Sequence, residues 1–459
     1  MQATRLRRSS GWSGGRASWR EWTPTVLPAI LLTALLAACS SAPSRPEPAP
    51  LPPDPQRLSV REVWRVDLGG EVRFPLVVQS AQSALAGADG ASGSGTVVGL
   101  ATDQGVVSLL DARTGEPLWR VTLNAPLSAG VGHDGRTVAV VTRENELVAL
   151  QAGRELWRQR LSAPSYTAPL VAGARVFVLG ADRSVSAYDG QTGFRLWQQT
   201  RSGDPLILRQ SGLLMAVGDT LVVGFGGRLA GLNPMNGASR WETVMASPRG
   251  TNDVERLADL VAGVARRGTD ICVRAFQVSV ACVDARAGQG AGALRWSQKA
   301  AGATGLSGDA GDGDNSLVFG VEFDGTVLAW RRSDGQPAWS NAALRFRALT
   351  APLVLGEGLV VGDDAGLLHF LSRADGAVQA RYDTAQAGRP QGPCRIDGRG
   401  VAARYACIES KLGPGRGVAA TPVLAGNTLV AITRDGVLHG LRLGPSAPAS
   451  ALSSSTIPR

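Results

Sequence analysis

The sequence predicts an all-β fold: an eight-bladed β-propeller of four-stranded antiparallel blades, closed by pairing a strand from each end of the chain. Three observations carry this expectation. Tryptophan, or a residue standing in its place, recurs at positions 64, 119, 157, 197, 241, 296, 339 and 380, spacings of 38 to 55 residues that match the period of propeller blades. A turn of the form Asp-x-x-Thr-Gly precedes the clearest copies at a fixed interval. Glycine is high, 58 of 459 residues, and with 44% hydrophobic residues and a mean hydropathy near zero the chain fits neither a disordered polymer nor a multispanning membrane protein.

In chain order, the first element is an address. Residues 1–25 are polar and arginine-rich, and residues 26–38 are apolar apart from Pro28 and Thr33. That run is short of the roughly 20 residues a spanning helix needs and fits the apolar core of a secretory signal. It ends Leu36-Ala37-Ala38-Cys39, which resembles the bacterial lipobox, where the chain is cut before a cysteine that carries lipid. The alternative is an ordinary signal followed by a chance cysteine. Arg7-Arg8 lacks the flanks of a twin-arginine signal. Ser40 and Ser41 follow the cysteine; an Asp there marks retention in the inner membrane in such lipoproteins, so its absence points to the outer membrane. Residues 42–56 carry prolines at 43, 46, 48, 50, 52, 53 and 55 and read as an extended tether. The expected organisation is a signal at 1–38, a lipidated Cys39 with tether at 39–57, a propeller at 58–444 and a flexible tail at 445–459.

The repeat itself is explicit. The stretch from Asp111 through Thr114-Gly115 to Leu118-Trp119 recurs from Asp189 through Thr192-Gly193 to Leu196-Trp197. Degenerate copies keep Asn236-Gly237 before Trp241, Gly292 before Trp296 and Asp334-Gly335 before Trp339; a shortened one runs from Gly153 to Trp157. In another, Asp375-Gly376 is followed by Ala380 where Trp is expected. Each unit opens on segments such as Ala168-Pro169-Leu170-Val171 and continues through strand, polar turn, strand, the glycine turn and the Trp strand. Turn glycines supply positive φ, and Asp side chains cap the turns. The seven tryptophans at 64, 119, 157, 197, 241, 296 and 339 are therefore expected to pack between blades. Trp64 has no turn before it, and the last repeat, 419–443, supplies only three strands. The Trp64 strand is the missing fourth, which seals the ring and hides its edges.

The net charge is +9, almost all from arginine, with lysine only at 299 and 411. Five arginines fall in the first twenty residues and the rest are scattered, so the excess argues weakly for nucleic acid and none is expected as a partner. Of five cysteines, Cys39 is assigned to lipid. Cys272 and Cys282 flank a strand–turn–strand pattern centred near Gln277, and Cys394 and Cys407 enclose a glycine-rich loop. In an oxidising compartment these make two disulfides; four buried thiols are the alternative. No Cys or Cys/His spacing suggests a metal site.

The Asp-x-x-Thr-Gly-x-x-x-Trp pattern resembles the tryptophan-docking repeats of quinoprotein dehydrogenases. With the lipobox, the proline-rich tether and the length, residues 60–443 resemble the propeller lipoproteins of the outer-membrane β-barrel assembly machinery. The resemblance implies a non-enzymatic scaffold on the outer membrane, lipid-anchored and facing the periplasm. Its implied partners are the periplasmic domains of the central barrel subunit BamA, other subunits of the machinery and unfolded β-barrel clients. The run Asp204-Pro205-Leu206-Ile207-Leu208-Arg209 resembles the family loop whose Leu and Arg contact BamA, which assigns Leu206, Leu208 and Arg209 to the contact. The run from Arg256 to Val261 resembles a second loop of that surface; the family can carry two acids there, and here Asp259 matches while Val261 does not. Strand packing is the competing role for the leucines, solvated loop charge for Arg209 and Asp259.

The enzyme alternative is a periplasmic quinoprotein-type dehydrogenase. It needs a quinone over calcium, which takes six to eight oxygen ligands. Asp309, Asp312 and Asp314 are the best acidic cluster; they follow no EF-hand spacing and read as a glycine-rich surface loop. The adjacent cysteines common in such enzymes do not occur. His369 and His439 share one register of the third strand, a register filled elsewhere by Ser108, Ser186 and Leu328, which argues for a structural position. His133 reads as lying in a turn beside Asp134-Gly135. No nucleophile elbow or phosphate loop is present, and no catalytic residue, cofactor or metal is expected.

Overall fold

The computed structural model describes residues 46–81, 95–203, 206–247, 257–286, 291–309, 316–385 and 417–445. These residues form eight four-stranded antiparallel sheets and, among the described residues, no helix. Blades 1 to 7 span 77–122, 132–160, 170–200, 214–244, 265–299, 307–341 and 353–383, with the strands of each blade side by side in chain order. First strands of neighbouring blades touch one another and form the inner ring. Blade 8 takes Val423–Ala425, Thr428–Ile432 and Val437–Pro445 from one end of the chain and Leu58–Asp67 from the other. Val60 lies opposite Leu443 and Asp67 opposite Val437, so the ring closes through the Trp64 strand as the repeats predict.

Burial follows position within a blade. The second and third strands are mostly apolar and covered on both sides by adjacent blades: every residue of Thr137–Val141 and of Asp270–Ala275 is buried, Asp270 and Arg274 included. The fourth strands are edges, and Arg195–Thr200 leaves half or more of its residues exposed. Charged side chains there keep the edges from pairing with other chains.

Each of the seven repeat tryptophans sits on a fourth strand at a register shift opposite the third strand, the irregularity that re-aims its side chain sideways. The indole then lies on the glycine turn of the next blade. Trp157 Nε1 donates to Gly190 O at 3.0 Å, and a β-carbon at Gly193 would stand 2.6 Å from the indole. Gly193 also has φ +72°, so the position needs glycine on both counts. The turn is held by Asp189, whose Oδ1 accepts the amides of Gln191 and Thr192. These bonds hold the Asp189 carboxyl below its ordinary pKa. Trp64, Trp197, Trp296 and Trp339 donate in the same way to Ala112, Pro234, Arg332 and Arg373 carbonyls. Trp119 and Trp241 lie against Gly153 and Gly292. The residue opposite the indole is usually small: Gly440 faces Trp64, Ala149 faces Trp157 and Gly231 faces Trp241.

The absent tryptophan has a cause in this scheme. The fourth strand of blade 7 faces blade 8, whose third and fourth strands come from opposite ends of the chain and are joined by no turn. With no glycine turn to dock on, position 380 is Ala, and the volume is taken from across the pair by Phe370, which is buried.

Part of the segment read as an extended tether lies on the propeller. Ala49 N–H donates to Arg345 O and Arg57 N–H to Gln379 O, both at 2.9 Å, and the Arg381 guanidinium donates to Pro52 O. Leu51 packs on the apolar cluster between blades 6 and 7. An extended proline-rich chain satisfies none of its own backbone groups, so carbonyls and side chains of the propeller pair with some of them.

Candidate functional site

Antiparallel strands put the second-to-third turns and the crossovers between blades on one face. The crossover from blade 3 to blade 4 carries 206–209, and that from blade 4 to blade 5 carries 257–261. They are far apart in sequence and joined in space. Ala262 N–H donates to Ser211 O at 3.0 Å, Gly212 bridges Val261, and Leu260 N–H donates to Gly226 O at 3.1 Å.

The side chains take different parts in this junction. Leu206 is 40% exposed and Arg209 is exposed, so both are presented to the surroundings. Leu208 is half-buried, and its N–H donates to Asp259 Oδ2 at 2.7 Å. Asp259 is thus turned inward, with its backbone carbonyl accepting from Phe276 N–H at 2.9 Å. Burial pushes its carboxyl above the ordinary range, partly offset by the Leu208 amide and by the positive charge of Arg183. Val261, at the position of the family's second acid, is buried.

Sequence reasoning missed Tyr166. The Arg209 guanidinium lies 5.2 Å from its ring centroid, a cation–π contact that holds the charge in place. Thr167 beside it accepts Gly212 N–H at 2.9 Å. Both lie in the crossover from blade 2 to blade 3, and nothing local in Ser165-Tyr166-Thr167 signals a partner 43 residues on. Between these segments is a small cavity of about 60 Å³ walled by Tyr166, Ile207, Leu208, Phe225 and Asp259. A wider groove of about 480 Å³ opens beside Leu206.

The remaining candidates fall elsewhere. Cys272 and Cys282 are opposite one another on the second and third strands of blade 5, 3.9 Å apart at Cα, and their sulfurs are bonded. Cys39, Cys394, Cys407, Asp204, Arg256, Asp312 and Asp314 lie outside the described residues. Asp309 is not on a surface loop: it is buried, accepting Leu317 N–H at 2.9 Å and pairing with Arg373 at 3.2 Å. His133 is not in a turn but in the first strand of blade 2, buried, with its Nε2 3.1 Å from Val77 O; burial lowers its pKa. His369 is fully buried with Nε2 3.0 Å from Asp363, which also pairs with Arg347. His439 bonds Glu62 of the closing strand at 2.8 Å. Both third-strand histidines thus brace turns or closure. Among the described residues, no three His, Cys, Asp or Glu side chains gather where they could hold a metal.

Fold and surface together define a tryptophan-docked propeller with an exposed junction of crossover loops, the quinoprotein-repeat class of protein. Residues 103–341 match the family described as outer membrane protein assembly factor BamB. The assembly factor BamB of Burkholderia pseudomallei is 32% identical over 415 residues, covering 89% of this chain and 95% of the relative. The chain belongs to the BamB family. The crystal structure of BamB from Moraxella catarrhalis shares the fold, with a TM-score of 0.65 at 23% identity over 84% of this chain and all of that one. A quinohemoprotein alcohol dehydrogenase from Pseudomonas putida has a TM-score of 0.57 at 13% identity, covering 85% of this chain and 77% of its own, and shows the fold alone.

Proposed function

We propose that the chain is a non-enzymatic scaffold of the outer-membrane β-barrel assembly machinery that docks on the periplasmic domains of BamA. The contact is the junction of 206–209 with 257–261, with Leu206 and Arg209 outward, Leu208 beneath them and Asp259 clamping the two loops. Lipid on Cys39 holds the chain to the outer membrane on its periplasmic side, where it works beside other subunits and unfolded barrel clients. The observation that carries this reading is the pairing of two crossovers from different blades, which fixes an apolar side chain and a guanidinium on one rigid face. Arginine on a preorganised surface is a frequent interface hot spot, and losing one costs about 2 kcal/mol or more, roughly thirty-fold in affinity.

Arg209→Ala is therefore expected to weaken binding to BamA's periplasmic domains by about that factor with the melting temperature unchanged. Leu206→Ala should weaken it as well. Titration calorimetry reads the affinity; wild-type affinity in both variants removes this surface from the contact. Mass spectrometry of the membrane-extracted protein, with non-reducing peptide mapping, tests the covalent assignments. Lipid on Cys39 and a Cys394–Cys407 bond beside Cys272–Cys282 are expected; an unmodified Cys39 ends the anchor assignment.

A further inference from the structure

The groove beside Leu206 has a composition that the docking loops alone do not explain. Its apolar wall is Leu206, Phe225, Val244 and Leu257, with Val244 44% exposed. Its polar wall is Arg183, Arg201 and Arg228. Arg201 and Arg228 share a single carboxylate: Arg201 Nη1 is 3.1 Å from Glu242 Oε2, and Arg228 Nη1 is 2.9 Å from Glu242 Oε1. Each guanidinium has five N–H donors in a rigid fork, so one carboxylate between two leaves donors over. Arg201 is also held from below, its Cζ 5.7 Å from the Phe225 ring centroid. The Arg183 guanidinium is wedged by Gly203 and Gly226, where a β-carbon would come within 2.8 and 2.7 Å of Nη1. The second acid of the groove, Asp259, is committed to Leu208 N–H. Arg201 and Arg228 therefore present N–H donors beyond those their shared carboxylate takes, on side chains held before any partner arrives.

We infer that this groove receives a carboxylate-bearing segment of the docked partner, its acid set between Arg201 and Arg228 and an apolar neighbour laid on Phe225, Val244 and Leu206. The inference rests on the docking surface proposed above, with which the groove is continuous through Leu206 and Asp259. It adds the chemistry that the partner must offer: an acidic residue flanked by an apolar one, within reach of the contact to Arg209. Two fixed guanidiniums over an apolar floor favour a carboxylate over a neutral side chain, because the charge pairs in a partly desolvated site.

The test uses the full chain in detergent against BamA's periplasmic domains, at two salt concentrations. The double variant Arg201→Met/Arg228→Met is expected to bind about ten-fold more weakly, with a shallower dependence on salt. Val244→Glu keeps both guanidiniums but replaces the apolar seat with a carboxylate directly across the strand pair from Arg228, which competes with the partner's acid; it should weaken binding by a similar factor and keeps the test valid should the double variant misfold. Arg228→Lys, which keeps the charge but not the fork, should lie in between. Wild-type affinity and salt dependence in both the double variant and Val244→Glu, with Arg209→Ala still weak, would overturn the groove assignment and leave the docking surface standing. Wild-type affinity in all of them, Arg209→Ala included, would overturn both.

Discussion

Asp259 shows how far a single residue's role can shift between sequence and structure. As a loop acid it reads as one half of an ionic contact; in the fold it faces inward and accepts an amide from the neighbouring loop. Its carboxyl is raised by burial, so the folded chain keeps this proton to higher pH than the unfolded chain does. The sign follows: its contribution is fully present at pH below about 4 and is lost as pH rises through the raised value, because ionising the buried group then counts against folding. Asp259→Asn can still accept the Leu208 amide and never ionises. Its stability relative to wild type is expected to grow from pH 3 towards neutrality, and thermal melts across that range that run parallel would contradict this account. Asp259→Ala leaves Leu208 N–H without its acceptor, at a cost of about 1–3 kcal/mol, and loosens the surface that carries Arg209. Tyr166 was illegible for the same reason that Asp259 was misread. Both act across crossovers, 43 and 51 residues from their partners, and no local pattern records such a pairing.

At the level of the element, the indole and its glycine turn form one unit shared by two blades. This part of the fold was open to reading because each half is local: Asp and Gly shape the turn, Trp marks the strand, and the interval between them repeats. The exception at Ala380 was visible as a gap, but its reason was not, since it depends on which blade lacks a turn. If that reason is right, restoring the consensus should harm the protein. Ala380→Trp would force an indole against Phe370 with no turn to receive it, and overpacking of this kind costs about 1–3 kcal/mol. A lowered melting temperature is expected for Ala380→Trp, recovered in part by Phe370→Gly, which supplies the small partner found opposite Trp64 and Trp241. A melting temperature at or above wild type in the single variant would refute the explanation. The inward turn of Asp309 and the strand position of His133 were also hidden, because first strands of two residues, Ser307–Gly308 and Gly132–His133, carry no alternation to detect.

Across the whole molecule, the ring is closed by one strand. Deleting residues 58–67 removes the fourth strand of blade 8 and the indole on the first blade's turn, baring the ladder of Val437–Pro445. Unpaired backbone groups and lost apolar cover at one seam should abolish cooperative unfolding, which circular dichroism melts would register as a broad, early transition. A sharp transition at the wild-type temperature would argue that seven and three-quarter blades suffice. The same strand is where the polypeptide enters the ring, so any pull on the chain from upstream is aimed at the closure. It does not arrive there directly. Ala49 is fastened to Arg345 and Arg347, Pro52 to Arg381 and Arg57 to Gln379, all on blade 7 or the crossover that leads into it. Load would therefore pass into those attachments before it reached Leu58, much as a cable clamp protects the joint behind it. Tension applied upstream would then not be spent on prising open the closing strand pair.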